Sequence, residues 1–477
     1  MNKYKKLAFN TVVFAIGNFG SKLLVILLTS LYTKYISPDE MSTKDLLEST
    51  ALFLWPIFSF SMTESIIRYG LDKKYDKRQV FTSGTVLTTM GLVLMFLIVP
   101  VIRFIPFLYD FMNGYTVLLL IYTCMSSLRQ NCSQFVRARD MVKLFSLDGI
   151  LATLTLFIFN LVFIAGFRMG VKGWMISTIL SDTLSTIFLF MTAKLHKFFN
   201  IKYYSKVLAS KMMKFALPLI PTVVMWTITG LSDRFFIRNM KSDIVLLGAG
   251  AAGLYGVANR IPNLISMVST IFFQAWNMSA ISENDSQDRS DFYEKVFSAY
   301  ESLLFIASAG LILVVKPVSR IIANPTVYPE YSTVYLYTPI LVAAVLFTCL
   351  DQFLGSIYTA TKHTKNSFWT SLVACAANII LNISLIPVWG IQGASLATFF
   401  SYYICFWIRI IDARYYVPFK FNWVRSLVNT AILFVMCWVL IKQVDLWVLW
   451  LFLLTCAVCF INYKALLVTV KKLLKRG

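Results

Sequence analysis

Two pentapeptides, GVKGW at residues 170–174 and GIQGA at residues 390–394, decide the fold. Each has glycines at its first and fourth positions, and the two copies are 220 positions apart. Each copy lies between two apolar segments of about 20 residues, the length that a helix needs to cross a bilayer. A glycine pair in the same place in two blocks of apolar segments predicts an internal repeat with a tight turn between the fifth and sixth spans of each half.

The rest of the chain has the same apolar character. Of its 477 residues, 58% are hydrophobic and only 14% are charged, and the mean hydropathy is +0.70. Soluble domains are more charged, so the composition predicts an integral membrane protein. Fourteen segments are long enough to cross a membrane: 7–33, 45–67, 80–102, 115–136, 147–167, 173–193, 215–237, 244–275, 296–315, 332–357, 367–387, 391–412, 426–441 and 444–463.

The predicted fold class is an all-α membrane protein of two six-helix lobes with two further helices. The lobes are residues 1–203 and 204–415, and residues 416–477 add the last two spans and a basic tail. Lysine and arginine are concentrated in alternate loops, which predicts that both termini are cytoplasmic. This bias, together with attraction to anionic membrane lipid, accounts for the net charge of +21 without a nucleic-acid partner.

Two basic residues, Lys22 and Arg260, are assigned to the interior of spans, where a charge costs about 2.5–3.5 kcal/mol on insertion scales. Lys22 is on a polar stripe of its helix with Asn18, and Arg260 shares a face with Asn263. One such cation comes from each lobe. A lysine binds phosphate as a point charge and an arginine binds it bidentately, so the favoured hypothesis is an anion-binding cavity.

Asp182 is the one acidic residue placed at mid-depth. It pairs with Lys22 in a structural interpretation, which is compatible with anion binding if substrate and carboxylate compete for the lysine. It is also the candidate for coupling to H+ or Na+, and no other cofactor and no metal is predicted. Asp148, Glu301 and Asp351 are expected near cytoplasmic helix ends, close to water.

Other residues are predicted to have structural or gating roles: Glu64, Arg68, Asp233, Arg234, Pro218 and Pro221. The first two are four positions apart on one helix face and are expected to pair. The next two end the seventh span near the outer surface. The prolines remove backbone donors early in that span and should bend it.

Several longer segments together resemble a known family: residues 5–23, "MKFALPLIPTVV" at 213–224, "LSDRFFI" at 231–237, residues 251–277 and "GIQGASLATFFSYY" at 390–403. They are similar to the polysaccharide transporter family, the Wzx-type oligosaccharide-lipid flippases of the multidrug/oligosaccharidyl-lipid/polysaccharide (MOP) superfamily. The similarity covers essentially the whole chain. It is diffuse, so it indicates the family better than the substrate.

The resemblance implies two lobes forming a V around a central cavity and operating by alternating access. The implied substrate is a polyprenyl-pyrophosphate-linked oligosaccharide, carried across the cell membrane for capsule or O-antigen synthesis alongside a polymerase and glycosyltransferases. Related lipid II flippases have cavity-facing basic residues in the first and eighth helices, comparable with Lys22 and Arg260. Their two extra C-terminal helices, thought to hold the lipid tail, would correspond to residues 426–463.

Two other functions remain open on the sequence alone. A MATE-like ion-coupled drug antiporter would transport cations and require an acidic residue such as Asp182. A membrane-embedded polymerase or glycosyltransferase would normally have a sizeable outer loop, and the longest one here, residues 316–331, is short. The chain has no phosphate-binding loop of the GxxxxGK[ST] type, so we expect a secondary transporter and not an enzyme.

Overall fold

The computed structural model describes residues 24, 27–72, 74–102, 109, 111–267, 269–270, 272, 289–361 and 364–475, and within these ranges the chain is helical with no strand. The helices are α1 Pro38–Phe58, α2 Met62–Leu71, α3 Lys77–Ile102, α4 Thr116–Ala138, α5 Val142–Asn160, α6 Gly170–Thr192, α7 Lys206–Ala216, α8 Ile220–Asn239, α9 Ala249–Ala258, α10 Arg289–Leu313, α11 Val315–Ile322, α12 Val334–Ala360, α13 Thr364–Tyr416, α14 Trp423–Lys442 and α15 Trp447–Lys475. The predicted fold class is confirmed.

Among the described residues, eight helices are long and apolar enough to cross a membrane, and the bent pair α1 and α2 makes a ninth if it counts as one span. The protein is therefore a multi-pass membrane protein, although the count of fourteen spans is not confirmed. Two features lower the count. The bent helix α13 is counted once, although it contains two predicted spans, and part of the first predicted span lies outside the described residues. Helix α4 is not among the eight, and it contains the polar and charged network described below.

Both predicted glycine turns are present. Gly170 at the start of α6 has φ +54°, and Gly390 inside α13 has φ +57° and ψ −131°. Residues with a Cβ rarely adopt this left-handed region. A straight α13 of 53 residues would be about 80 Å long, well over twice the hydrocarbon thickness. The break at Gly390 divides it into two membrane-length helices.

The second glycine of each pair permits close backbone packing. A Cβ on Gly173 would lie 3.0 Å from the carbonyl oxygen of Phe163, and one on Gly393 would lie 2.3 Å from that of Leu385. Both carbonyls belong to the helix that precedes the turn. In each half, therefore, the first glycine reverses the chain and the second lets the two helices meet.

The chain divides into two compact units, residues 1–235 and 236–477, and the division falls within α8. In the first unit, Phe81 and Phe135 stack at 4.5 Å within a cluster from α2, α3, α4, α6 and α7. In the second, Phe353 contacts Phe297 at 5.1 Å on the helix pair α10 and α12. The division into lobes 1–203 and 204–415 with a two-helix extension stays a prediction.

Helix breaks occur where prolines were expected to cause them. Helix α7 ends at Ala216, a 3₁₀ turn covers Leu217–Leu219 and includes Pro218, and α8 begins at Ile220 with Pro221 as its second residue. Helix α9 ends at Ala258, and the backbone is helical again from residue 263, just after Pro262. A proline lacks the donor that would continue the helix ladder, so a break at these points follows from its chemistry.

Candidate functional site

The first unit contains an ionic network centred on Arg129, near the middle of α4. Its Nη1 lies 3.1 Å from Asp182 Oδ1 on α6, and its Nη2 lies 3.5 Å from Asp148 Oδ2 on α5. Nε donates to the Ser185 hydroxyl at 2.8 Å. Asp148 and Asp182 are only 1% and 6% exposed. The guanidinium of Arg129 on α4 therefore binds side chains of both α5 and α6 and links the three helices.

Two serines complete the coordination of the carboxylates. Ser126 on α4 donates to Asp182 Oδ2, and Ser185 on α6 donates to Asp148 Oδ1. Buried charges are stable only when they are paired and their remaining lone pairs accept hydrogen bonds. The serines perform that second function here.

A second ionic group lies on α1 in the same unit. Lys44 is 2% exposed, and its Nζ lies 2.6 Å from Glu48 Oε2 and 3.3 Å from Asp45 Oδ1. The ammonium lies 4.5 Å from the centre of the Trp174 ring on α6 and 5.3 Å from that of Tyr32. Two carboxylates and two aromatic faces therefore surround one cation, an arrangement that favours positive charge at this position.

The two groups are adjacent through an aromatic contact. Tyr122 on α4 packs edge-on against Trp174, with ring centroids 5.5 Å apart. Together the groups contain four carboxylates and two cations.

In the second unit, Arg409 on α13 is 2% exposed and makes a dense set of hydrogen bonds. Its Nη1 donates to the backbone oxygen of Asp351 at 2.8 Å, and its Nε donates to Thr370 Oγ1 at 2.9 Å. Nη2 donates to Ser371 Oγ at 2.9 Å. The guanidinium thus joins α12 to both arms of α13 and fixes the packing of three helical segments.

The two arginine networks occupy corresponding spans of the repeat. In the first half the arginine is on the fourth predicted span, and the carboxylates are on the fifth and sixth. In the second half Asp351 is on the fourth span and Arg409 is on the sixth. In each half an arginine therefore joins the same three spans. It lies on the fourth span in the first half, where its side chain is 22% exposed, and on the sixth span in the second half, where the residue is 2% exposed.

These networks correct the sequence analysis. Arg129, Lys44 and Arg409 were assigned to loops or span ends, so the inference that Lys22 and Arg260 alone are basic residues inside helices was wrong. The reason is that α1 begins at Pro38 and α4 continues to Ala138, beyond the limits suggested by hydropathy. On α4 the two polar residues that face the network, Ser126 and Arg129, lower the local hydropathy. Their spacing of three positions, which places them on one helix face, was the available signal.

The acidic residues also differ from expectation. Asp148, Glu301 and Asp351 are at most 2% exposed, so their predicted contact with water was wrong. Asp182 is buried as expected, but Arg129 pairs with it. Lys22, the partner first considered, lies outside the described residues, as does Asn18.

Arg260 lies in the turn that follows α9, half-buried, and its amide donates to the Val257 oxygen at 3.0 Å. Asn263 is exposed at the point where the helix resumes, and its amide donates to the Arg260 oxygen at 3.3 Å. The predicted arginine therefore lies at a helix break and not on a continuous helical face. Its role as an anion ligand stays a prediction.

The proposed gating residues have different surroundings. Glu64 and Arg68 are both exposed on α2, and the described structure shows no ion pair between them. Asp233 is buried and not at a surface, because α8 continues to Asn239. Arg234 donates from Nη1 to Ser49 Oγ at 3.3 Å. Within the described ranges no three His, Cys, Asp or Glu side chains form a group that could hold a metal ion.

No protein-family model and no curated protein sequence matches the chain. Among solved structures, the lipid II flippase MurJ in an inward closed conformation is 18% identical, with a TM-score of 0.70 over 97% of this chain and 100% of that one. An inward-facing multidrug resistance MATE family transporter of the MOP superfamily is 14% identical, with a TM-score of 0.63 over 84% and 98%. The Vibrio cholerae MATE transporter VcmN is 11% identical, with a TM-score of 0.62 over 88% and 98%.

The chain shares its fold with these transporters. The likeness to MurJ runs from one end of both chains to the other, whereas the two MATE structures leave 12–16% of this chain uncovered. The uncovered share is long enough to contain both α14 and α15.

Proposed function

We propose that this protein is a flippase of the cell membrane that moves a polyprenyl-pyrophosphate-linked oligosaccharide from the inner to the outer leaflet by alternating access. Both termini would be cytoplasmic, and a polysaccharide polymerase and glycosyltransferases would act on the same pathway. The supporting observation is the extent of the fold match, which covers 97% of this chain and the whole of a lipid II flippase. The residue pattern described above independently resembles oligosaccharide-lipid flippases.

The chemistry of the substrate fits a small number of cations within the membrane. A pyrophosphate cannot enter hydrocarbon without losing its water shell, a cost that fixed positive charges and local water can offset. Lys22 and Arg260 would supply these charges, with Asn18 and Asn263 as hydrogen-bond donors. The position of Arg260 at a helix break allows the side chain and nearby backbone to move together. The polyprenyl chain would stay in lipid throughout.

A second candidate function, an ion-coupled drug antiporter, is favoured by a different observation. Asp182 is 6% exposed on α6, a candidate membrane span, and a buried carboxylate in such a helix suits coupling to a cation. Asp182 would be the H+ or Na+ site under this hypothesis. Its pairing with Arg129 means that the arginine would have to move, or the carboxylate accept a proton, before another cation binds.

Proteoliposomes that contain a fluorescent polyprenyl-pyrophosphate disaccharide can distinguish the two functions. Dithionite destroys the label only in the outer leaflet, so the protected fraction reports flipping. We expect Arg260→Ala to slow flipping roughly 10- to 100-fold, because one charge-assisted hydrogen bond contributes about 1.5–3 kcal/mol. Lys197→Ala is the matched control, since Lys197 is an exposed cation in a loop. Its rate should equal that of the wild type.

The same vesicles, loaded with a cationic dye under a proton or sodium gradient, test the antiporter. Dye transport that requires Asp182, with no flipping of the labelled lipid, would refute the flippase proposal and support the alternative. Lipid flipping at the wild-type rate in a variant with both Lys22→Ala and Arg260→Ala would refute only the assigned anion ligands.

A further inference from the structure

A polar cavity of about 500 Å³ lies where two spans of the second unit begin. One wall is α10, which contributes Glu294, Phe297, Ser298 and Glu301, and the other is residues 420–425 at the start of α14. The two candidate membrane spans are Ser290–Leu313 and Trp423–Lys442, so the cavity is near the N-terminal ends of both. Lipid headgroups and water meet a span at its ends, and the cavity volume is within the range of small-molecule sites.

The floor of the cavity is fixed by a buried ion pair. Arg425 Nη2 lies 2.6 Å from Glu301 Oε2, and Glu301 is fully buried. The same Nη2 donates to the Ser298 oxygen at 3.4 Å. The Arg425 side chain is 13% exposed and that of Glu301 is not exposed, so the arginine is the member of the pair that a ligand in the cavity can reach.

The mouth of the cavity has one further charge of each sign. Glu294 Oε2 accepts the Lys420 amide at 3.3 Å, but no ion pair joins the two side chains in the described part of the chain. Glu294 is half-buried, and Lys420 is exposed. From Glu294 to Glu301 is about 10 Å along α10. A ligand with a negative group near Arg425 and Lys420 and a positive group near Glu294 would form favourable ionic contacts with the two cations and with the carboxylate.

The surroundings indicate that the ligand comes from the lipid. Trp423 is exposed beside the cavity and stacks on Trp407 at 5.2 Å, and tryptophan is typical of the headgroup level of a membrane. Phe421 packs against Trp423 at 4.9 Å, which makes one side of the cavity aromatic. Acyl chains next to these rings would remain in the bilayer while the headgroup entered the cavity.

We propose that this cavity binds the phosphoethanolamine headgroup of a zwitterionic phospholipid. The phosphate accepts hydrogen bonds from Arg425 and Lys420, and the primary ammonium donates to Glu294. A phosphatidylglycerol headgroup has the same phosphate for Arg425 and Lys420, but its neutral glycerol offers no cation to Glu294. A choline headgroup has no N–H to donate. Binding at this cavity does not depend on which substrate the protein transports.

The test is native mass spectrometry of the full-length protein after incubation with equimolar phosphatidylethanolamine, phosphatidylglycerol and phosphatidylcholine. We expect retained phosphatidylethanolamine to exceed each of the other lipids roughly three- to ten-fold, the size of about 1 kcal/mol of charge-assisted contact. Glu294→Gln should abolish the preference over phosphatidylglycerol. Glu330→Gln, an exposed carboxylate in a separate turn, should leave it unchanged.

A charge reversal keeps the test decisive. Glu294→Lys should invert the preference in favour of phosphatidylglycerol, a gain that a misfolded protein would not show. Equal retention of the three lipids by the wild type would overturn the proposal. So would a preference for phosphatidylethanolamine that is the same in Glu294→Gln and Glu294→Lys as in the wild type.

Discussion

Replacing Arg129 by methionine tests whether the network of the first unit stabilises the fold. The substitution keeps most of the side-chain volume but leaves Asp148 and Asp182, both nearly inaccessible to solvent, without their cation. Breaking a buried ion pair by removing one partner typically costs 3–5 kcal/mol. Because the side chain of Arg129 is itself 22% exposed, we expect the lower part of that range, about 3 kcal/mol.

A second estimate comes from proton uptake. Protonating an aspartate of ordinary acidity at pH 7 costs about 4 kcal/mol. A buried carboxylate that has lost its cation can take up a proton, so the loss of stability for each carboxylate cannot exceed this cost. The cost of that protonation falls by about 1.4 kcal/mol for each unit of decrease in pH. The difference in stability between the variant and the wild type should therefore shrink as the pH is lowered from 7 to 5.

Thermal unfolding in detergent, followed by tryptophan fluorescence at a fixed scan rate, is a suitable assay. A loss of 3 kcal/mol corresponds to about 6–12 °C for a cooperative unit of roughly 200 residues. Adding Asp148→Asn and Asp182→Asn to Arg129→Met should recover at least half of the loss, because a neutral network contains no uncompensated charge. Arg68→Met is the control for a methionine substitution at an exposed arginine, and we expect it to leave the midpoint unchanged.

Two results would refute this reasoning. One is an Arg129→Met midpoint within 2 °C (about 1 kcal/mol) of the wild type. The other is a triple variant as unstable as Arg129→Met alone, which would show that the lost contacts, and not the stranded charges, were responsible.

Three further changes test other parts of the fold. Gly393→Ala should lower stability by about 1–3 kcal/mol, because its Cβ would lie 2.3 Å from the Leu385 oxygen; Gly310→Ala, which has open space on α10, should be neutral or slightly stabilising in the same unfolding assay. Arg409→Lys should cost about 2–3 kcal/mol, since one ammonium cannot replace a fork that binds three helical segments; a midpoint equal to the wild type would contradict that role. Lys44→Met should lower the midpoint by several degrees, because it removes an ion pair at 2.6 Å and the contacts of the ammonium with Trp174 and Tyr32; a midpoint equal to that of the wild type would contradict this role.

Much of the local architecture was predictable from short stretches of sequence. The paired glycines at 170–173 and 390–393 indicated the two turns, and the structure shows a left-handed φ at the first glycine of each. Pro218 and Pro221 likewise indicated a helix break. These features were accessible because they depend on the backbone of one residue and its immediate neighbours.

The charged groups were predicted less well. Arg129 was assigned to the cytoplasmic end of the fourth predicted span because hydropathy falls along α4, although the fall results from residues that face an ionic network. Glu301 and Asp351 were expected near water for the same reason. Hydropathy averaged over a window of sequence includes each charged residue, but it contains no information on whether a neighbouring helix supplies an oppositely charged partner. Glu64 and Arg68, with ideal spacing on one helix, are both exposed and form no ion pair in the described structure.

The sequence by itself determined that the chain is a bundle of membrane helices with two glycine turns. In lipid every backbone group must be satisfied within its own segment, so composition and length decide where helices form. Only the tertiary structure decided which charges meet. Arg129 and Asp182 are 53 residues apart and pair because α4 and α6 present those faces to each other. That outcome depends on the rotation and packing of whole helices, which no single stretch of sequence encodes.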